Sequence, residues 1–400
     1  MFDVWASTVN LGQPCLYKRL NHHLVGKDGL VRNEVLAGID RIMCENLLNL
    51  FQTFEPPTDF QHIPAEQRFL NVSALQKSIR RGDAAGAMRF AQQGCQLDQE
   101  HIFRRLAVCA VEDVGLGNLA AVGMALAVMG NKHLRNHGPR GSFAAMIARE
   151  LALSPKSRLA CDLLSIVDFD RRLVGMKSDL AGASTDVLRR NAEDRSASNN
   201  HRMLSAWLLA GTRRFHGTTM PTTLARPRTE CMRMMAASRM PLMLYYIADR
   251  AASRLAEAMF VSNYLMAEFV ANDPPCKLEQ SPLPVSVMID NFPSEAYDLH
   301  TREGLGALRR FRHECPDVKD ITIRLSPKLR DKAVQFGVFI AEGGKLQNQL
   351  RFDQADTIES NAHRTELSYV GFISLEQQNS LLATINHNLA LLNRARADRV

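Results

Sequence analysis

The segment "DNFPSEAYDLHTREGLGALRRFRHE", residues 290–314, holds the densest set of side chains able to do chemistry. Asp298, His300 and Glu303 place two carboxylates around an imidazole, and Arg302, Arg309, Arg310 and Arg312 follow them. A carboxylate beside a histidine and arginines can activate water or stabilise a developing positive charge. Cleaving a base from its sugar needs such a group, because an oxocarbenium-like state forms. The plainer reading is salt bridging, with Asp298 and Arg302 one helical turn apart. On a helix entered near Asp298 or Thr301, Arg302, Arg309 and His313 fall within about 20° of one stripe. Leu305, Leu308 and Phe311 then form the opposite, apolar side, so a basic face could track phosphates.

Two further stretches mix basic and planar side chains. "TRRFHGTT" supplies Arg213, Arg214 and Phe215, suited to phosphate contact and base stacking. "VNLGQPCLYKRL" supplies Tyr17, Lys18 and Arg19 with Asn10 and Gln13, a set able to stack on and hydrogen-bond a flipped base. Metal and cofactor chemistry are not expected. The eight cysteines form no C-x-x-C pair, so they read as small buried hydrophobes, and no H-E-x-x-H, G-x-S-x-G or dinucleotide loop is present. His22 and His23 are adjacent, which puts them on different faces of a helix and argues against a shared metal.

The elements that would carry these groups read as helices. The chain is 46% hydrophobic but only 6% aromatic, rich in Leu, Ala and Met, which favours a mainly α protein. "EVLAGIDRIMCENLLNLFQTF" has a 3.6-residue apolar rhythm, and Pro56, Pro57 and Pro64 break it. In "NVSALQKSIRRGDAAGAMRFAQQG", Ser73 can cap one helix and Gly82 close it. Asp83 can cap a second helix, ended by Gly94, and Asp98 a third. "DITIRL" reads as a strand, and a closing helix spans about 375–396. These signals divide the chain into an N-terminal helical segment (1–64), a helical domain (65–170), a helical region with basic loops (171–273) and a mostly helical C-terminal region with a small α+β element (274–400). The net charge of +7 fits a polyanionic partner. Arginine clusters recur from residue 80 to 313, and their forks suit phosphate oxygens. No apolar run is long enough to span a membrane, and Asp3 sits where a signal peptide carries positive charge, so a cytoplasmic protein is expected.

Three pieces, "SALQKSIRRGDAAGAMRFAQQG", "IFRRLAVCAVEDVGLGN" and "ARELALSPKSRLACDLL", occur in an order and spacing that resembles the C-terminal helical region of the replication-associated recombination ATPases, the group of the Werner-helicase-interacting proteins. The resemblance spans about residues 71–167. It implies a clamp-loader-like collar, and an oligomer or replication-protein partner at stalled forks. The residues themselves suggest a structural role: Glu112 and Asp113 enter a glycine-rich turn, where they can accept backbone N–H bonds or cap the next helix, and can pair with Arg104 and Arg105. The ATPase module of that family is not matched. "LVGKDG" lacks the first glycine of a phosphate loop and has Asp28 where Ser or Thr is needed, so ATP hydrolysis is not expected.

Together these features point to a DNA-binding protein of repair or phage defence. Without nucleotide, metal or cofactor signals, the simplest chemistry is cofactor-free hydrolysis of the N-glycosidic bond of an extruded base. In that scheme Asp298 or Glu303 is the working carboxylate, and His300 orients it. The alternative is a non-catalytic, ATPase-free adaptor at replication forks.

Overall fold

A computed structural model describes residues 18–58, 62–221, 226–272, 276–372 and 374–398. Among the described residues helices dominate and the strands are four short pieces in two antiparallel pairs, so the protein is mainly α with a small α+β element near its C-terminus. Helix α1 (Asn33–Phe51) buries Leu36, Ile39, Met43 and Leu47, the stripe expected from a 3.6-residue period.

Helices α2 (Arg68–Arg81) and α3 (Ala84–Cys109) are punctuated largely as the sequence suggests. Gly82 adopts φ 72°, a left-handed stop that glycine makes without strain. Asp83 then caps α3 by accepting the Gly86 N–H at 2.9 Å. The chain bends at Asp98 (φ −152°, ψ 89°), whose carboxylate accepts the His101 N–H at 3.0 Å and restarts the helix. Two expectations fail here. Helix α2 starts at Arg68, so Ser73 lies inside it, its hydroxyl buried and unpartnered among the described residues. Gly94 ends nothing: a Cβ there would come within 2.4 Å of Ile102 and 2.8 Å of Asn71, so it permits close packing instead.

Helix α3 leaves through one widened turn at Ala110–Val114, and Asn118 caps α4 (Leu119–Met129) by accepting the Ala121 N–H at 3.1 Å. Helices α5 (Ser142–Leu153) and α6 (Leu159–Phe169) follow, and α3 packs along α2 and α5. Next come α7 (Thr185–Glu193), α8 (Asn199–Ala210), α9 (Thr229–Ala237), α10 (Leu242–Arg250) and α11 (Met259–Asn272). A single apolar core runs from Leu20 to Tyr297 and takes in Leu350–Ala362. A second, smaller core runs from Leu308 to Ala395.

Between the two cores, β1 (Lys277–Glu279) pairs with β4 (Gln349–Arg351), and β2 (Met288–Ile289) with β3 (Phe292–Pro293). The latter hairpin turns on Asp290 and Asn291 at φ 47° and 68°, left-handed values that Asp and Asn tolerate. Thr301 caps α12 (Arg302–Glu314) by accepting the Gly304 N–H at 3.0 Å. "DITIRL" is not a strand. Pro316 opens helix α13 (Pro316–Thr322), Cys315, Val318 and Thr322 bury on one face, and the Thr322 hydroxyl donates to the Val318 carbonyl at 2.8 Å. Tertiary burial at helical spacing overrides the β-branched residues. Helices α14 (Pro327–Val338) and α15 (Ala355–Tyr369) follow, and the expected closing helix is two, α16 (Leu375–His387) and α17 (Leu389–Ala397), parted at Asn388. Among the described residues no helix is long and apolar enough to cross a membrane.

Candidate functional site

The three motif pieces meet in space. Arg80, at the end of α2, donates to Asp113 at 2.8 Å and to Glu112 at 3.0 Å. Arg158, at the start of α6, donates to Glu112 at 2.8 Å and to Asp113 at 3.2 Å. Burial pushes the Glu112 carboxyl up, but Arg158 and then Arg80 outweigh it and hold it at about 2. The pairing with Arg104 and Arg105 expected from sequence does not form: Arg104 donates instead to the Leu255 carbonyl at 2.9 Å. The widened turn carries the acids toward α2 and α6. Its glycines let the "SPKS" segment lie against it, since a Cβ on Gly117 would meet the Pro155 oxygen at 2.2 Å and one on Gly115 the Ser157 oxygen at 2.7 Å. The Ser157 N–H donates to the Asp113 carbonyl at 3.0 Å across this contact.

The C-terminal region locks onto the same motifs. Lys77 Nζ lies 2.5 Å from Asp298 Oδ2, with both side chains at most 2% exposed. Burial disfavours the Asp298 charge, but Lys77 and His300 overcome it and hold the carboxyl well below the usual range. Burial lowers the Lys77 ammonium. Arg80 also donates to the Gly343 carbonyl at 2.9 Å, and the Gln347 N–H donates back to the Arg80 carbonyl at 2.9 Å. Lys156 donates its N–H to Asn348 and accepts the Leu350 N–H, adding a strand-like contact beside β4. Phe339 lies under three cations, with Lys77, Arg80 and Arg158 at 5.5, 5.4 and 5.1 Å from its ring centre.

Asp298 and His300 do come together, with their expected roles reversed. Asp298 is 1% exposed and cannot reach a substrate, whereas the His300 side chain is 53% exposed. His300 Nδ1 is 3.0 Å from Asp298 Oδ2. An ionised carboxylate only accepts, so Nδ1 carries the proton, and in the neutral ring Nε2 is the free lone pair. The carboxylate therefore orients the imidazole. It also accepts the His300 N–H at 2.9 Å, bracing the turn before α12. Glu303 is half-buried in the first turn of α12, near the Tyr297 phenol.

The expected basic face of α12 is partly tied down. Arg309 and Arg312 share Asp331 at 3.3 and 2.7 Å, and Arg310 donates to the Asp398 carbonyl at 2.8 Å. Arg302 is exposed, and Leu308 and Phe311 are buried, but Leu305, expected on the apolar side, is 37% exposed. Phe215 is 1% exposed, packed against Phe260, so it cannot stack on a base; Arg213 and Arg214 beside it are exposed. A basic–aromatic string does not reveal which way the ring turns, and here the ring fills the core. Lys18 and Arg19 are exposed, and Tyr17 lies outside the described residues.

Sequence reasoning missed Lys77, Arg158 and Phe339 as partners of the site, although "QKSIRRGD" and "SPKSR" were already singled out as motifs. No local pattern marked Lys77 for burial, because the residues one turn to either side of it, Ser73, Ala74, Arg80 and Arg81, form a mostly polar face. Among the described residues no group of three or more His, Cys, Asp or Glu side chains is placed to hold a metal ion, and no two of the described cysteines are joined in a disulfide. Comparison with protein-family models, curated proteins and solved structures finds no match for this chain, so its architecture and the Lys77–Asp298 and Arg80–Asp113 interlock must be read on their own terms.

Proposed function

We propose that this protein is a DNA-binding scaffold of repair or phage defence, an adaptor whose motif residues hold its two cores together and perform no hydrolysis. The observation that carries the reading is how charge is sorted. Among the described residues nine carboxylates but only seven basic side chains are buried, so the sequence's positive surplus faces solvent. The carboxylates best placed for chemistry, Asp298, Glu112 and Asp113, are consumed in ion pairs with Lys77, Arg80 and Arg158. An exposed excess of guanidinium groups favours phosphate, and buried pairs of this kind specify docking geometry. The collar-like resemblance adds the expectation that the scaffold serves an oligomer or a replication protein.

The competing reading is a base-excision glycosylase, favoured by the Asp298–His300 pair, in which an exposed imidazole is oriented by a carboxylate in the manner of a general base. Natural and base-modified DNA incubated with the protein and a chelator, then treated with alkali, separates the two. The scaffold reading expects no alkali-labile breaks on any substrate. Breaks that vanish in His300→Gln would replace it with the glycosylase.

A further inference from the structure

A groove of about 710 Å3 lies away from the interlock, between the turn at residues 20–29 and helices α7 and α9. Its walls carry Arg189, Arg190, Arg233 and Arg239 against one lining carboxylate, Glu193. Two of the four arginines are already engaged. Arg189 pairs with Asp186 at 3.1 Å, and Arg233 pairs with Glu230 and donates to the Asp28 carbonyl at 2.8 Å. Arg190 and Arg239 are exposed and have no ion-pair partner among the described residues. The basic edge continues through exposed Lys18 and Arg19, because the Leu20 N–H donates to the Met240 carbonyl at 3.0 Å and the Leu242 N–H to the Lys18 carbonyl at 3.1 Å.

The backbone makes a second, independent point. Arg239 holds φ 55°, the left-handed conformation in which glycine or asparagine would end α9 without strain. A bulky side chain is strained in that region, and such strain concentrates at ligand clamps. An arginine stands in the strained position, at the mouth of an arginine-walled groove.

The floor decides the occupant. Val25 and Ala237 offer apolar surface between the basic walls, and His22 lies at its side with its ring 3.8 Å from that of His23. The volume falls within the range of about 300–1,000 Å3 that holds small ligands or a short run of unstacked nucleotides. A duplex presents a convex cylinder with its bases stacked inside, and it cannot lower base faces onto such a floor. A single strand can do so while its phosphates meet the arginines. We propose that this groove binds a single-stranded nucleic acid, with Arg190 and Arg239 forked onto neighbouring phosphates and the bases against the Val25–Ala237 floor. The proposal rests on the DNA-binding reading and gives it a strand preference and a place.

The test uses the full chain and a fluorescein-labelled oligothymidylate of about 20 nucleotides beside a duplex of equal length, followed by anisotropy across a salt series. Arg190→Gln/Arg239→Gln is expected to weaken single-strand binding at least about tenfold and to flatten the log–log salt slope by about 1.4, two phosphates at 0.7 each. Duplex binding should change far less, and the melting temperature should stay within a few degrees, as befits two exposed side chains. Unchanged single-strand affinity in the variant, with wild type still binding in a salt-dependent way, overturns the groove and leaves the DNA-binding reading standing. No salt-dependent binding of either probe by wild type overturns both.

Discussion

Replacing Lys77 by methionine tests whether the Lys77–Asp298 pair holds the two cores together. At 2.5 Å, an effective dielectric constant near 20 gives a gross attraction of about 7 kcal/mol. Each ion also forfeits several kcal/mol of hydration, so the pair as a whole sits near balance. The single variant has no such balance: it leaves the Asp298 carboxylate buried with only His300 as a side-chain partner, and the expected loss is about 3–5 kcal/mol. Urea unfolding followed by far-UV circular dichroism measures it. Lys77→Met/Asp298→Asn removes both charges while keeping an oxygen for the His300 N–H, so it should recover at least about 2 kcal/mol of that loss. The pH dependence gives a second reading. Asp298 is held below its unfolded value of about 3.8, so its contribution is present above that pH and lost as pH falls through the folded value. The acid limb of the stability curve should therefore flatten in Lys77→Met. A single-variant loss below about 1 kcal/mol, or a double variant as unstable as the sum of its parts, would refute the argument.

Two other perturbations follow from the same geometry. Gly117→Ala drives a methyl into the Pro155 carbonyl, a rigid backbone neighbour at 2.2 Å, and should cost roughly 2 kcal/mol or more by the same urea assay; a loss under about 0.5 kcal/mol would show that the motif contact is loose. Asp162 is pushed up to about 8, chiefly by burial, so it keeps its proton at neutral pH and the native state loses stability as pH rises from about 4 through 8. Asp162→Asn should leave stability at pH 4 unchanged and raise it by several kcal/mol, on the order of 5, at pH 9; equal effects at both values would contradict the burial argument.

Much of the fold was legible because its punctuation is local. Gly82, Asp83, Asp98 and Thr301 act within one turn of their own position, and the apolar stripe of α1 needs no partner to be seen. The strand assigned to "DITIRL" failed because β-branched residues state a weak local preference that the Cys315–Val318–Thr322 face overrode. The site was half legible. Asp298 and His300 were found by their chemistry, but the reversal of their roles depends on Lys77, which is 221 residues away in sequence. Local spacing likewise offered Arg104 and Arg105 to Glu112 and Asp113, whereas the partners came from α2 and α6. Phe215 marks the same limit: a ring between arginines looks like a stacking platform until burial is known.

The central claim is that the exposed surplus of arginine engages nucleic-acid phosphates. The salt dependence of the full chain's affinity for labelled DNA tests it most directly. Log Kd is expected to rise linearly with log salt, with a slope of several units of about 0.7–0.9 per phosphate contacted. Binding that is undetectable at about 50 mM salt, or unchanged between about 50 and 200 mM, would contradict it.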